Sequence, residues 1–261
     1  DLIRRHVRAL ASHHGADLVI ANGENAAGGA GITRENMLEI MTSGVDVITT
    51  GNHVWDKRET LEFIGNEPRL IRPANYPAGT PGAGSCVVAA RNGVRVGVIN
   101  AMGRVFLHAI DDPFRAADRE IAHVKAEGAQ VIFIDFHAET TSEKMAFCYY
   151  VDGRVAAVIG THTHVQTADE RILSGGTACL SDAGMTGPHD GVIGMDRDAV
   201  IARFVSGLPG RFETASGDPR LNGAVITVDP SNGRATHIER ISLSEDQLKT
   251  ITEAQTLGAR A

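Results

Sequence analysis

At 261 residues, with a formal net charge of −7 and a pI near 5.9, the chain can bury a large core and presents no broad basic surface for gripping a nucleic-acid backbone. Stable nucleic-acid binding is not expected, whereas a small anionic substrate held by metal is compatible with this charge. No run of about 18 apolar residues is present to span a membrane, and the widely spaced Cys86, Cys148 and Cys179, without a CxxC pair, fit a reducing, cytoplasmic compartment.

The chain opens DLIRRHVRALASHHG, where Leu2, Ile3, Val7 and Leu10 recur at helical spacing and predict an amphipathic helix leading through Gly15 into the strand LVIA (18–21). A helix that feeds a parallel strand in an alternating chain usually follows another strand, so a first strand is expected upstream of Asp1. RENMLEIMTSG (34–44) predicts a helix closed by Gly44, VDVITT (45–50) a buried strand, and KRETLEFIGNE (57–67) a further helix. Three prolines and three glycines punctuate RLIRPANYPAGTPGAG (69–84), which reads as a long shaped loop. SCVVAARNGVRVGVIN (85–100) is a hairpin turning at Asn92-Gly93, and PFRAADREIAHVKAEG (113–128) returns to helix. The runs VIFIDF (131–136) and AAVIG (156–160) are again buried parallel strands by composition. NGAVITVDPSNGRATHIERISL (222–243) forms a second hairpin, and residues 244–261 a peripheral C-terminal tail with a short helix. The pattern predicts an α/β fold: a single domain, 1–261, of two mixed sheets packed face to face with helices outside.

Chemistry gathers where these strands end. Glu24 and Asn25 follow LVIA, Asn52 and His53 follow VDVITT, His137 follows VIFIDF, and His162 and His164 follow AAVIG. Side chains at the carboxyl ends of parallel strands converge on one crevice. Three imidazoles, a carboxylate and carboxamides suit one or two divalent metals and metal-assisted hydrolysis; with no thiolate among them, Fe, Mn, Zn or Co would be accepted. Glu24 has two oxygens and can bridge two cations. His162 and His164, two apart on an extended segment, reach one cluster only if the chain bends, and Gly160 is expected to allow the bend. Asp135 or Glu139 would orient the His137 imidazole. His53 is the candidate proton donor. Arg72, Asn75, Arg104, Thr141, Ser142, Glu143, His189 and Asp190 are weaker candidates for substrate contacts.

Taken together, GEN (23–25), TTGNHVWD (49–56), RPANYPAGTPGAG (72–84), DFHAETTSEKMA (135–146), GTHTHVQTADERIL (160–173) and DAGMTGPHDGVIGMD (182–196) resemble the YmdB-like branch of the calcineurin-like metallophosphoesterases, over essentially the whole chain. The resemblance implies a four-layer sandwich of two mixed sheets between helices, and a phosphodiesterase acting on 2′,3′-cyclic and also 3′,5′-cyclic nucleotides by a two-metal hydroxide mechanism, iron or manganese being the expected metals. It implies Glu24 as the bridging ligand, Asn25 and His164 on a first metal, Asn52, His137 and His162 on a second, and His53 as the acid. The family's first strand ends in an aspartate that binds the first metal, and that strand would precede Asp1 here. A phosphomonoesterase of the same fold and a catalytically weak metal-binding regulatory protein are the competing readings, and a homo-oligomer is compatible with either.

Overall fold

Each of the four apolar runs forms a parallel strand in the computed structural model, which describes residues 1–258. The elements run α1 (Leu2–His13), β1 (Ile20–Asn22), α2 (Arg34–Thr42), β2 (Val47–Thr49), α3 (Thr60–Phe63), β3 (Ser85–Ala89), β4 (Arg95–Met102), α4 (Pro113–Ala126), β5 (Val131–His137), α5 (Thr141–Val151) and β6 (Ala157–Thr161). There follow β7 (Arg171–Ile172), β8 (Ala178–Leu180), β9 (Gly187–Pro188), α6 (Arg197–Ser206), β10 (Pro219–Asp229), β11 (Arg234–Ser244) and α7 (Glu245–Gly258). A six-stranded sheet in the order β3-β4-β5-β6-β8-β7 is the main platform, accompanied by the parallel pair β1-β2 and by the sheet β11-β10-β9.

The alternation of side chains along β4 and β5 decides what each face of the platform touches. Ile132, Ile134 and Phe136 point to one face, where Ile121 and Val124 of α4 and Phe147, Cys148 and Val151 of α5 cover them. On the other face Val96, Val98 and Phe133 meet Val47, Ile20 and Val228 of the smaller sheets, while Ala157 and Ala178 meet Ile226 and Ile238. The small sheets are covered in turn by α1, α2 and α7, through Val7, Met37, Leu2, Leu10 and Leu248. Helices, sheet, sheets and helices therefore stack in four layers, as the sequence suggests, with the second layer of strands divided into two pieces.

Several expectations are refined. KRETLEFIGNE shortens to α3 and a 3₁₀ turn at Ile64–Asn66. The helices α5 and α6 fall in segments to which the apolar spacing alone assigns no element. The helix of the tail is α7, docked on α1 with Leu248 fully buried; Ala259, Arg260 and Ala261 lie outside the described residues. Among the described residues, β1 is paired on one side only, and β10 pairs with β9 only at Pro219 and Arg220. Between them runs a cleft of about 1210 Å³, walled by Ile20, Phe133 and Val225, that reaches Glu24, His137 and His164.

Candidate metal centre

Residue 137 ends β5 on the inner face of the platform, two residues beyond Asp135 on the same side, and both are almost fully buried. The His137 ring lies so close to Gly51 that a Cβ there would collide with it, so the strand end of β2 can pass this imidazole only as glycine. That passage brings Asn52 Oδ1 to 2.8 Å from His137 Nε2. Glu24, following β1, puts Oε1 at 3.1 Å from the same nitrogen.

The other ring nitrogen fixes the protonation of the first. Thr161 Oγ1, at the end of β6, donates to Asp135 Oδ1 at 2.7 Å, and so faces His137 Nδ1, 2.9 Å away, as an acceptor. Nδ1 therefore carries the hydrogen and Nε2 presents its lone pair. The lone pair faces two acceptor oxygens, Asn52 Oδ1 and Glu24 Oε1, and such an arrangement is stable only around a positive charge. Burial raises the Glu24 carboxyl, but where a proton on Nε2, rather than a metal ion, supplies that charge, the charge and hydrogen bond of His137 together with the bond from the His53 amide outweigh it and hold the group down to about 2. Asp135 also accepts from Thr49 and Asn22; burial nevertheless pushes it above the usual aspartate range.

The second half of the cluster is built differently. The ligand atoms of Glu24, His137 and His162 lie within 4.8 Å of one another. His162 Nε2 is 2.8 Å from Glu139 Oε2, and burial, reinforced by the neighbouring His137, lowers its pKa below the ordinary 6.5. His164 Nδ1 donates to the Ile193 carbonyl at 3.1 Å, leaving Nε2 to accept from Asn25 Nδ2, also at 3.1 Å. Asn25 Nδ2 also donates to Glu24 Oε2 at 3.3 Å, while Asn25 Oδ1 is buried without a partner among the described residues. An orphaned carbonyl oxygen, a converging lone pair and ionised Glu24 together fit divalent cations.

The bend that brings both histidines to the site is not made by Gly160. His162 and His164 themselves take φ of 103° and 68°, and left-handed backbone at a non-glycine residue costs on the order of 1–3 kcal/mol. Gly160 stays within β6, where its role is close approach: a Cβ would run into the Ser181 carbonyl.

The structure thus brings Glu24, Asn25, Asn52, His137, His162 and His164 into one continuous cluster, with His53 beside it. The His53 amide donates to Glu24 Oε1 at 2.9 Å, and its Nδ1 pairs with Asp56 Oδ2 at 2.8 Å, leaving Nε2 for a ligand. Most of the weaker candidates are scaffold. Arg72 is bound to the carbonyls of Pro73, Thr80 and Pro81, and Asn75 to the carbonyls of Met102 and Asp111. Glu143 accepts from the amides of Arg104 and Val105, and His189 sits between Gly187 O and Asn222. Reading along the chain missed Asp56, Thr161 and Ile193. Asp56 was findable from its spacing of three after His53; a backbone carbonyl such as that of Ile193 leaves no mark on the sequence.

The chain matches the family described as YmdB-like protein over residues 1–241. It is 51% identical over 248 residues to a 2′,3′-cyclic-nucleotide 2′-phosphodiesterase of Bacillus subtilis (strain 168), covering 95% of this chain and 93% of that one. Identity is 34% over 256 residues to a putative phosphatase/phosphodiesterase of Mycoplasma pneumoniae, covering 94% and 89%. Among solved structures, a hypothetical protein of Thermus thermophilus superimposes with a TM-score of 0.83 at 40% identity, over 92% of this chain and 94% of that one. A protein described as a novel phosphatase from Mycoplasma pneumoniae superimposes with a TM-score of 0.86 at 33% identity, over 95% and 90%.

Proposed function

This chain belongs to the YmdB-like protein family, and from that premise we propose that it is a metal-dependent phosphodiesterase of cyclic nucleotides, 2′,3′-cyclic first and 3′,5′-cyclic second. It is a hydrolase of the metallophosphoesterase fold. The observation that carries the reading is the meeting of the His137 Nε2 lone pair with Glu24 Oε1 and Asn52 Oδ1. Glu24 would bridge two cations, with Asn25 and His164 on one and Asn52, His137 and His162 on the other. Iron or manganese is proposed, zinc and cobalt being compatible with the same donors. When bound, such cations supply Lewis-acid chemistry and lower the pKa of water.

The chain's own residues do the rest. Asp56 holds His53 Nδ1, so that Nε2 is the nitrogen left to hand a proton to the departing ribose oxygen. The Asp135–Thr161 pair holds His137 in the tautomer whose lone pair faces Glu24. A small phosphodiester fits an acidic chain better than a nucleic acid does, because nothing here grips an extended phosphate backbone. No helix of the described residues is long and apolar enough to cross a membrane; the cytoplasm is proposed on the free thiols Cys86, Cys148 and Cys179.

Metal analysis together with hydrolysis of 2′,3′-cAMP, a nucleoside monophosphate and a p-nitrophenyl phosphodiester tests the proposal. Bound metal with diester cleavage is expected; preference for the monophosphate would make the protein a phosphomonoesterase, and bound metal without hydrolysis a regulatory protein. His53→Ala is expected to retain metal and lose about 10²- to 10⁴-fold on nucleotide esters, and far less on p-nitrophenyl diesters, whose leaving group needs no proton. Equal losses on both would remove His53 from the role of acid.

A further inference from the structure

Asp182, just beyond β8, is 1% exposed and takes no part in the cluster described above. Its Oδ2 accepts from Lys144 Nζ of α5 at 2.7 Å, from the Thr163 amide at 3.0 Å and from Thr163 Oγ1 at 2.8 Å, while Oδ1 accepts from the Gly184 amide at 2.8 Å. Lys144 is equally buried, at 2%. Thr163 is the residue between His162 and His164, the two that hold left-handed backbone. The same segment is stapled along its length: the Ala183 amide donates to Gly160 O at 2.8 Å, and the Thr167 amide to Asp182 O at 3.1 Å. A buried ion pair adds little net stability over an apolar pair of similar volume, so its presence here points to orientation rather than to folding energy.

We infer that Asp182, clamped by Lys144, is a positioning residue for the metal centre: it grips Thr163 by amide and hydroxyl and so holds the His162 and His164 imidazoles in their ligating placement. The inference rests on the reading of these two histidines as metal ligands. The carboxylate is suited to the task because it accepts four bonds at once, and because both partners on its Oδ2 side are fixed, Lys144 by α5 and Thr163 by the turn itself.

The test uses the full chain and two variants. Asp182→Asn keeps the size but loses the charge and one acceptor; since it strands a buried ammonium and can fold poorly, Lys144→Met combined with Asp182→Asn removes that ammonium too. Mn²⁺ affinity, the melting temperature of the metal-free protein and long-range ¹H–¹⁵N spectra of its imidazoles are measured for each. Both variants are expected to bind Mn²⁺ about 10- to 100-fold more weakly, with the ring signals of His162 and His164 displaced and that of His137 in place. The double variant is expected to regain melting temperature but not affinity. Parent-like affinity and ring signals in either variant would overturn the inference, as would recovery of affinity and melting temperature together in the double variant. Displaced ring signals in a chain that binds no Mn²⁺ even as the parent would sustain the anchor and overturn the metal reading instead.

Discussion

The two halves of the cluster reach the same place by opposite means. His137 stands at the end of a regular strand, 1% exposed, in backbone that costs nothing to adopt, and its orientation comes from side chains at or just beyond the ends of three other strands. His162 and His164 stand on a turn in unfavourable backbone, and their orientation comes from the turn's anchors and from a carbonyl, that of Ile193, itself on a residue with φ of 47°. The first half is rigid because sheet register makes it so; the second is rigid only while its contacts hold. Steric changes should therefore damage the first half most, and changes of charge or protonation the second.

The largest effect is expected from Gly51→Ala, whose Cβ would collide with the His137 ring. Overpacking at a closed site costs about 1–3 kcal/mol, and each kcal/mol lowers the melting temperature of a chain this long by roughly 2–4 °C. Metal content should fall with it, and an unchanged metal content would show that the strand end yields as readily as the turn. Thr161→Val comes next, since it removes the acceptor of His137 Nδ1 and a donor to Asp135. Metal affinity or turnover should drop about 10- to 100-fold; titration calorimetry showing parent affinity would mean that packing alone orients His137.

Acid should find the second half first. His162 titrates below the ordinary 6.5, through burial and then His137, so the folded chain binds fewer protons than the unfolded one between that lowered value and 6.5. Its contribution to stability is complete above pH 6.5 and declines as pH falls through this window. Glu24, held at about 2 against an ordinary 4.5, contributes fully above 4.5 and loses its contribution as pH falls toward 2. The melting temperature of the metal-free protein should fall in two stages on acidification, and His162→Gln should diminish the earlier one, the buried His6, also lowered by burial, keeping its share; an early stage unchanged by that substitution would contradict the assignment. The smallest effect belongs to Ile193→Gly, which keeps the carbonyl bonded to His164 and relieves a strained φ. A gain within about 1 kcal/mol and parent metal affinity are expected; a large loss of affinity would show that the exposed side chain, not the carbonyl, sets His164.

The readable part of the fold is the part made by local rules. Apolar runs of β-branched residues at 45–50, 131–136 and 156–160 form parallel strands, the last two at the centre of the platform, and Asn92-Gly93 turns the hairpin with Gly93 at φ of 85°. α5 was not legible, because Phe147, Cys148 and Val151 share its buried face with Lys144, whose charge hides the apolar stripe. At the site, residue types after strands pointed to the cluster, since a strand's last side chains are forced toward the crevice. Of the two carboxylates expected to orient His137, Glu139 meets His162 instead, and Asp135 reaches His137 only through Thr161. Such an intermediary follows from the pairing of Phe136 with Gly160 and His137 with Thr161, which is a fact of sheet register and not of sequence distance.

Composition and period act over a few neighbouring residues, and they suffice to mark which residues are chemically able to form the centre and that these lie at strand ends. That β1, β2, β5 and β6 bring those ends together, that Gly51 must pass the His137 ring, and that the turn at His162 and His164 is left-handed emerge only in the packed molecule. Those outcomes depend on contacts between residues as far apart as Asn25 and His164, 139 positions along the chain. Such contacts are set by how four layers pack, and no local pattern encodes them.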